Sequence, residues 1–327
     1  MRHIIIWVSF MLFVLSASAQ NDSAANTLLN LRQQYDTATD TNTRRQLLQK
    51  IGDTGTFVGM MVAGNSLADP ALAKTAAAVV ARVALAHPEY DGINTRQLLC
   101  KSLPLLKGKQ RKAVISHLAS ASDCEGYVSL FNGRDLTGWK GLVENPIARS
   151  KMTPVQLAEA QQKADDIMRR DWKVDDGLLV YVGHGYENIC TTRQWGDFEM
   201  YVDWKLDPNG QEPDAGIYLR GTPQVQIWDI RRVNVGAQVG SGGLYNNQKN
   251  QDKPLCVADN PLGAWNSFFI RMKGDRVTVY LNGILVVDNV VLENYWDRSQ
   301  PIFPIEQIEL QAHGSRVWYR DIYVKSL

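Results

Sequence analysis

The sequence has no excess of charge of either sign. Its 35 lysines and arginines are balanced by 34 aspartates and glutamates, which leaves a formal net charge of +1. The basic residues are also not clustered. A protein that binds nucleic acid or an acidic membrane surface usually carries a basic patch or stripe. Neither partner is therefore expected.

Cysteine is scarce, with four residues in the chain: Cys100, Cys124, Cys190 and Cys256. No CxxC motif or closely spaced Cys/His cluster is present, so the sequence gives no sign of a structural zinc site. In an oxidising compartment four thiols allow three disulfide connectivities, and the sequence does not distinguish among them. Buried free thiols are the alternative.

Long apolar runs are missing apart from one near the start of the sequence. Arg2 and His3 precede an apolar run over residues 4–15, and an Ala-Ser-Ala site follows. About 20 apolar residues are needed to span a bilayer, so this run is too short to be a stable anchor. The pattern predicts a signal peptide over residues 1–19, cleaved after Ala19, and hence export to the periplasm. An N-terminal core helix is the alternative interpretation.

Aromatic residues are nearly absent from the part that follows. Between positions 21 and 122 they are limited to Tyr35, Phe57 and Tyr90, whereas eight of the nine tryptophans lie at or beyond Trp139. Stretches such as "AKTAAAVVARVALA" carry Ala, Leu and Val at helical spacing. The sequence predicts a helical domain over residues 20–122, either a small bundle or short helical repeats. It shows no catalytic constellation and is a candidate for contact with a protein partner.

From residue 126 onward the pattern changes to short alternating runs separated by Gly, Asn, Asp and Pro. Asn282-Gly283 between two such runs is a strong hairpin signal. Many short strands without intervening helices predict a β-sandwich or jelly roll over residues 126–327. One helical insertion is expected near residues 153–171, where Thr153 and Gln156 form a capping box.

The stretch "GIYLRGTPQVQIWD", residues 216–229, is predicted to form two strands around a turn at residues 221–223. Ile217, Leu219, Val225 and Ile227 share one parity and are assigned to the core. The opposite face then carries five large polar or aromatic side chains: Tyr218, Arg220, Gln224, Gln226 and Trp228.

Two further stretches show the same alternation. In "IELQAHG" the outward parity holds Glu309, Gln311 and His313. In "DFEMYVDWKL" it holds Glu199, Tyr201 and Asp203, for which a solvated sheet face is an equal alternative. Rings that stack on sugars, together with amides and guanidinium groups that bind hydroxyls, favour a carbohydrate cleft.

Other site types find little support. The glycine-rich stretch at residues 236–243 lacks the strand, helix and Lys-Ser/Thr of a phosphate-binding loop. No G-x-S-x-G motif accompanies a serine nucleophile. The strand over residues 224–228 offers amides rather than the paired carboxylates of a retaining glycosidase.

The part of the chain with the β pattern resembles a known family. The successive motifs "SLFNGRDLTGWKG", "DWKVDDGLLVYVG", "DFEMYVDWKL", "DAGIYLRGTPQVQIWD", "GSGGLYNN", "GAWNSFFIRMKGDRVTVYLNG" and "IELQAHGSRVWYRDIYVK" resemble those of the 3-keto-disaccharide hydrolase domain family. The resemblance covers residues 126–327 and implies a concanavalin-like jelly-roll sandwich, of a kind common in exported proteins of glycan-degrading bacteria. Many members have Glu where this chain has Gln224.

The resemblance implies cleavage of 3-keto-glycosides by proton abstraction at C2, elimination at C1 and rehydration. Such a reaction needs a base, a group that stabilises the enolate and an acid for the leaving group. His313 is the candidate base, because histidine exchanges protons near neutral pH, and Arg220 is assigned to substrate or enolate recognition. Glu199 and Asp203 are the alternative bases.

The remaining candidates bind substrate or metal. Gln224, Gln226 and Gln311 are expected to bind sugar hydroxyls, and Tyr218 and Trp228 to contact the ring. Asn246 and Asn247 are expected to reach in from the glycine-rich loop. A divalent metal ion is conceivable as a cofactor, with ligands from His313, Glu199, Asp203 and Glu293. A non-catalytic carbohydrate-binding module and a structural or partner-binding protein remain as alternative functions.

Overall fold

The computed structural model describes residues 23–120 and 122–327. The signal-peptide interpretation concerns residues outside these ranges. Within them, none of the helices has the length and apolar character that crossing a membrane requires.

The first part of the described chain is helical. Ser23, Asp40 and Thr56 cap the first three helices, each side chain accepting a hydrogen bond from a backbone N–H of the first turn. The helices are α1 (Ala24–Thr37), α2 (Thr41–Asp53), α3 (Phe57–Asn65), α4 (Ala73–Ala86), α5 (Ile93–Ser102) and α6 (Gly108–Ala119). The alanine-rich α4 lies at the centre of this group and packs against α2, α3, α5 and α6. We call these six helices the helical unit.

Two further helices and 13 strands make up the rest of the described chain. The helices are α7 (Pro146–Arg149) and α8 (Pro154–Asp171). The strands are β1 (Val128–Ser129), β2 (Trp139–Gly141), β3 (Trp172–Asp175), β4 (Leu178–Tyr181), β5 (Ile189–Thr191), β6 (Phe198–Leu206), β7 (Asp214–Leu219), β8 (Thr222–Trp228), β9 (Asn266–Lys273), β10 (Arg276–Leu281), β11 (Ile284–Val291), β12 (Glu309–Leu310) and β13 (Val317–Ser326).

The strands form two antiparallel sheets. One runs in the order β11-β10-β9-β6-β13-β4-β3, with β1 also paired to β13, and the other in the order β2-β5-β12-β7-β8. Alternating apolar residues from both sheets meet in one core, for example Ile217 and Ile227 from the smaller sheet and Met200 and Phe268 from the larger. The predicted fold class, a β-sandwich preceded by a small helical region, is confirmed.

The predicted capping box is present at the start of α8. The Thr153 side chain accepts from the Gln156 backbone N–H, and the Gln156 side-chain oxygen accepts from the Thr153 backbone N–H. The helix packs against β2 and β3, which are the edge strands of the two sheets. It therefore closes one open side of the sandwich.

The helical unit packs on the outer face of the larger sheet. Phe57, at the start of α3, contacts Tyr127, Tyr201 and Tyr323, with ring centroids 4.5 to 5.9 Å apart. Tyr127 and Tyr323 belong to the same buried cluster as the helix residues. The outer face of the smaller sheet lies on the opposite side of the sandwich from the helical unit.

All four cysteines are unpaired in the described structure. Cys190 is buried on β5, while Cys100, Cys124 and Cys256 are exposed. The structure therefore agrees with the alternative of free thiols rather than disulfides. Of these thiols, Cys190 alone is buried.

Candidate functional site

The outer face of the smaller sheet gathers side chains from three neighbouring strands. On β7 and β8 the residues at outward parity pair across the strands, Asp214 with Trp228 and Gly216 with Gln226. On the other side of β7, Tyr218 pairs with Glu309 of β12. We call this outward surface of β7, β8 and β12 the cleft face.

Gly216 forms the floor of the cleft face. A Cβ atom at this position would lie 2.9 Å from both the Gln224 Cδ and the Gln311 Oε1. Contacts this short do not occur at ordinary side chains, so a residue other than glycine would push both amides aside. The absence of a side chain at Gly216 thus lets both glutamine side chains lie close over the strand.

A chain of hydrogen bonds orients the amides on one side of this floor. The Gln224 amide donates to Gln226 Oε1, and the Gln226 amide donates to Asp214 Oδ1 at 2.6 Å. Asp214 also pairs with Arg232 at 3.4 Å. The orientation of each glutamine is therefore fixed before any ligand binds.

The segment that contains β12 supplies the other side. Its three outward residues each carry one buried polar atom that has no hydrogen-bond partner in the described structure: Glu309 Oε2, Gln311 Oε1 and His313 Nδ1. Buried polar atoms are nearly always paired. Three successive exceptions along one edge of a cleft indicate a place where a polar ligand or ordered water completes the bonding.

Glu309 is the most strongly perturbed acid on the cleft face. Its side chain is 1% exposed, and this burial raises its pKa to about 8, although Arg149 nearby acts in the opposite direction. Near neutral pH the group is mostly a neutral carboxylic acid, which can donate a hydrogen bond.

A second acid and a histidine lie at the other end of the cleft face. Burial raises the pKa of Asp214, while the nearby His313, the Gln226 amide and Arg232 oppose the rise. The exposed Tyr186 packs edge-on against the His313 ring, with centroids 5.5 Å apart. Asp214 and His313 therefore lie near each other at this end of the cleft face.

The glycine-rich loop runs along the free edge of β8. Gly242 donates to the Gln226 carbonyl at 2.7 Å, and Gly243 accepts from the Gln226 backbone N–H at 3.0 Å. The indole N–H of Trp228 donates to the Gly240 carbonyl at 2.9 Å. The loop thus lines the cleft face.

Arg220 does not lie on the cleft face, so its predicted position is wrong. Strand β7 ends at Leu219, and Arg220 and Gly221 form a two-residue turn in which both φ angles are positive. The alternation of inward and outward side chains therefore ends at Leu219 and does not extend to Arg220. The Arg220 guanidinium is buried and donates to the backbone carbonyls of Pro304 and Gly274.

Glu199 and Asp203 also lie away from the cleft face. They point outward from β6 of the larger sheet, under the helical unit. Glu199 accepts from Tyr127 and Arg271, and Asp203 pairs with Arg320 at 3.2 Å. The predicted grouping of these carboxylates with His313 is wrong, because the two sheets face opposite ways.

The Asn247 side chain anchors its loop rather than reaching the floor. The Asn247 side chain donates to the carbonyls of Gln251 and Val291 and accepts from the Glu293 N–H. The backbone carbonyl of Asn246 accepts from Arg298. The Asn247 side chain is thus occupied within the loop, whereas a role for the Asn246 side chain stays a prediction.

The four conceivable metal ligands are not brought together. Glu293 accepts three backbone N–H bonds from residues 248–250, and Glu199 and Asp203 lie on the far sheet from His313. Across residues 23–120 and 122–327, no group of three or more His, Cys, Asp or Glu side chains is arranged to hold a metal ion.

The structure therefore places six of the sequence candidates on or beside one face: Tyr218, Gln224, Gln226, Trp228, Gln311 and His313. It adds Asp214 and Glu309, which were not among the candidate site residues. Glu309 had the correct parity, but the sequence carries no sign of its burial.

The chain is similar to several known proteins. Residues 126–325 match the profile of the 3-keto-alpha-glucoside-1,2-lyase-like domain. A 3-keto-disaccharide hydrolase of Bacteroides thetaiotaomicron is 21% identical over 266 residues, which cover 66% of this chain and 84% of that protein.

Solved structures show a more distant likeness. One from Parabacteroides distasonis, provisionally assigned as a glycosyl hydrolase, is 22% identical with a TM-score of 0.44 and covers 62% of this chain and 94% of its own. A carbohydrate-binding module of Bacillus subtilis is 12% identical with a TM-score of 0.35, covering 58% and 96%. Because the matched profile spans well over half of the sequence, the chain belongs to the 3-keto-alpha-glucoside-1,2-lyase-like domain family.

Proposed function

We propose that this protein is an exported enzyme that cleaves 3-keto-glycosides on the cleft face. The observation that carries the proposal is the row of unpartnered buried atoms on Glu309, Gln311 and His313 beside the glycine floor. A polyhydroxylated ring bound beside this row supplies a donor or an acceptor to each of these atoms. Family membership supports a sugar that carries a ketone at C3.

The two ends of the row suit different tasks. Glu309 and His313 lie at the two ends of the row of unpartnered atoms. In this proposal their side chains flank a single sugar ring. His313, beside Asp214, is positioned to exchange a proton, and neutral Glu309 is positioned to donate a hydrogen bond to a developing enolate oxygen.

In the proposed reaction the proton removed from C2 is passed to the leaving group. The ketone acidifies the C2 hydrogen, His313 takes that proton, and the electrons of the C2–H bond pass into an enolate stabilised by Glu309. The enolate reforms the ketone as the C1–O bond breaks, and the His313 proton goes to the departing oxygen. Water then adds its hydroxyl to C1 and a proton to C2, which makes the overall change a hydrolysis.

The test is incubation of the full chain with 3-keto-glucosides and with the parent glucosides, each with and without a chelator. We expect turnover of the keto compounds alone, since only they have an acidic C2 hydrogen. Binding of unmodified glycans without turnover of any keto compound would instead identify a binding module. Loss of turnover with chelator, restored by a divalent metal, would add an ion to the mechanism.

Variants test whether the reaction takes place on the cleft face. We expect His313→Ala to lower turnover on the order of 100-fold, the usual effect of losing a proton-transfer group. Lys273→Ala, at an exposed position on β9 of the other sheet, is the matched surface control. Near-native turnover by a folded His313→Ala would move the base elsewhere.

Export is part of the proposal and rests on the signal-like pattern at residues 1–19. Mass spectrometry of the native protein should show Gln20 as its first residue. An intact Met1 species recovered from the cytoplasm would contradict this.

A further inference from the structure

A small cavity adjoins the cleft face at the edge of β8. Its volume is about 130 Å³. The walls are mainly apolar and include Trp228, Val235, Val239, Tyr245 and Pro254, and Gln226 borders it on the side of the floor. We call it the edge pocket.

The walls of the edge pocket are fixed by the fold. Trp228 is held by its indole bond to Gly240 and by an edge-on contact with Tyr245, whose ring centroid is 5.1 Å away. A Cβ on Gly243 would lie 2.5 Å from the Asp252 carbonyl oxygen. The loop segments on the two sides therefore meet at a backbone contact that only glycine permits, so the pocket is shaped before a ligand arrives.

The pocket offers apolar surface and few free polar groups. Val235 is 41% exposed and Tyr245 is 49% exposed, so apolar area faces solvent there. Gln226, its main polar neighbour, uses its amide N–H groups on Asp214 and on backbone carbonyls, and its oxygen on Gln224. Charged residues border the pocket only at Asp252 and Lys253. A second sugar carries a hydroxyl on most of its carbons. In this pocket several of those hydroxyls would have no hydrogen-bond partner.

The edge pocket lies on the side of the cleft face towards which the leaving group of the substrate extends. Gln226 pairs directly with Gly216 across one strand spacing of about 4.8 Å. Gln226 therefore borders both the cleft face and the edge pocket, and a ring bound beside Gln226 directs a substituent on its β8 side into the edge pocket. Trp228 forms part of both surfaces.

Resting on the proposed function, we propose that the edge pocket receives the leaving group, and that it selects an apolar, ring-shaped aglycone over a second sugar. The substrates of this chain are then 3-keto-glucosides of cyclic alcohols or similar apolar compounds. Hydrophobic burial supplies the preference, because each buried methylene contributes about 0.8 kcal/mol.

The experiment compares the 3-keto forms of cyclohexyl glucoside, methyl glucoside and a glucosyl-glucose disaccharide with the full chain. All three release an alcohol, so differences in leaving-group chemistry are small. We expect kcat/KM for the cyclohexyl compound to exceed that for the methyl compound about 10-fold or more, with the disaccharide no better than methyl. Equal values for cyclohexyl and disaccharide would overturn the inference.

A matched pair of variants locates the effect. Val235 and Val233 lie in the same short helical turn, and both are exposed, but only Val235 lines the pocket. Val235→Ser should lower kcat/KM for the cyclohexyl compound about fivefold and leave the methyl compound unchanged. Val233→Ser should change neither. An equal loss for both substrates, or equal effects of both variants, would refute the pocket as the leaving-group site.

Calorimetric binding of the unoxidised cyclohexyl and methyl glucosides separates this inference from the proposed function. Tighter binding of the cyclohexyl compound that is weakened by Val235→Ser alone supports the pocket even if no keto compound is turned over. Equal affinities overturn the pocket even if turnover is found.

Discussion

At the scale of the residue, Glu309 links folding to pH. Burial raises its pKa to about 8 from an ordinary value of 4.5. In the unfolded chain the group loses its proton near pH 4.5, so the folded state binds one more proton between pH 4.5 and about 8. The free energy of unfolding therefore falls as pH rises through this window, and the loss is complete above it.

Replacing this acid by its amide should remove that dependence. We expect Glu309→Gln to have nearly the wild-type melting temperature near pH 4 and a higher one at pH 9, measured by calorimetry across the range. Because the amide also donates hydrogen bonds but cannot ionise, turnover should fall only about 10-fold. The alkaline decline of the wild-type rate near pH 8 should be absent. A wild-type rate that rises through pH 8 would assign Glu309 as a base instead.

The glycine floor gives a second expectation. In Gly216→Ala the new methyl group would lie 2.9 Å from both flanking glutamine side chains, which must move out of their binding positions. We expect kcat/KM to drop at least 10-fold with little change in melting temperature. Gly196→Ala is the control, since its Cβ would meet nothing closer than 3.7 Å. Equal effects of the two substitutions would show that Gly216 has no special role.

Alternation alone predicted which residues of β7, β8 and the β12 segment point outward. It located Gln224, Gln226 and Gln311 correctly because antiparallel strands keep a strict two-residue period. It failed at Arg220, where the strand ends and a turn reverses the direction of the side chain. The protonation state of Glu309 was not predictable, since it depends on how closely neighbouring elements cover it.

At the scale of the element, one carboxylate organises the loop that leads to the edge pocket. Glu293 accepts backbone N–H bonds from residues 248–250 and pairs with Arg298 at 3.0 Å. Although partial burial opposes the effect, these N–H bonds lower its pKa to about 2. The stabilisation is present above pH 4.5 and is lost as pH falls through about 2.

Glu293→Gln should therefore destabilise the protein by about 2 kcal/mol at neutral pH, the usual contribution of hydrogen bonds to a charged group. The difference from wild type should shrink as pH falls from 4.5 towards 2, as measured by denaturant unfolding at each pH. Glu159→Gln, on the exposed side of α8, is the control. A difference that does not vary with pH would mean that the charge of Glu293 is not what holds the loop.

Local signals were reliable where the turn chemistry is strong. Asn282-Gly283 forms the expected two-residue connection, with φ of 52° and 80°, between β10 and β11. The turn after β7 lies earlier than predicted, because Thr222 and Pro223 already belong to β8. Proline is tolerated there since β8 is the edge strand of its sheet.

At the scale of the whole molecule, the sequence could not show that the helical unit covers the larger sheet. The outward face of β6 alternates like a solvated face, yet Tyr201 there stacks on Phe57 and Asp203 is 3% exposed. Contacts between distant parts of the chain leave no periodic signal. We expect residues 126–327 to fold alone into the sandwich, and such a fragment would expose an apolar patch around Tyr201 and Tyr323.

Phe57→Ala should test the docking of the helical unit. The ring is 1% exposed, and its loss should lower the free energy of unfolding by about 3 kcal/mol. Far-UV dichroism and tryptophan fluorescence, which report mainly on the helices and the sandwich, should shift together. Turnover below the transition should be unchanged. Ile115→Ala, at an exposed site on α6, should have little effect, and separate transitions for the two probes would contradict tight docking.

The molecule is two-sided, with the helices on one outer surface of the sandwich and the glutamines of the cleft face on the other. Anything attached to the helices, whether a fused domain or a solid support, stands a full sandwich thickness away from the reaction. An attachment at Tyr186 or Tyr245, on the rim of the cleft face, would block entry. The helical unit is thus the suitable place to attach this protein to a support, because its cleft face then points towards the proposed glycan substrate.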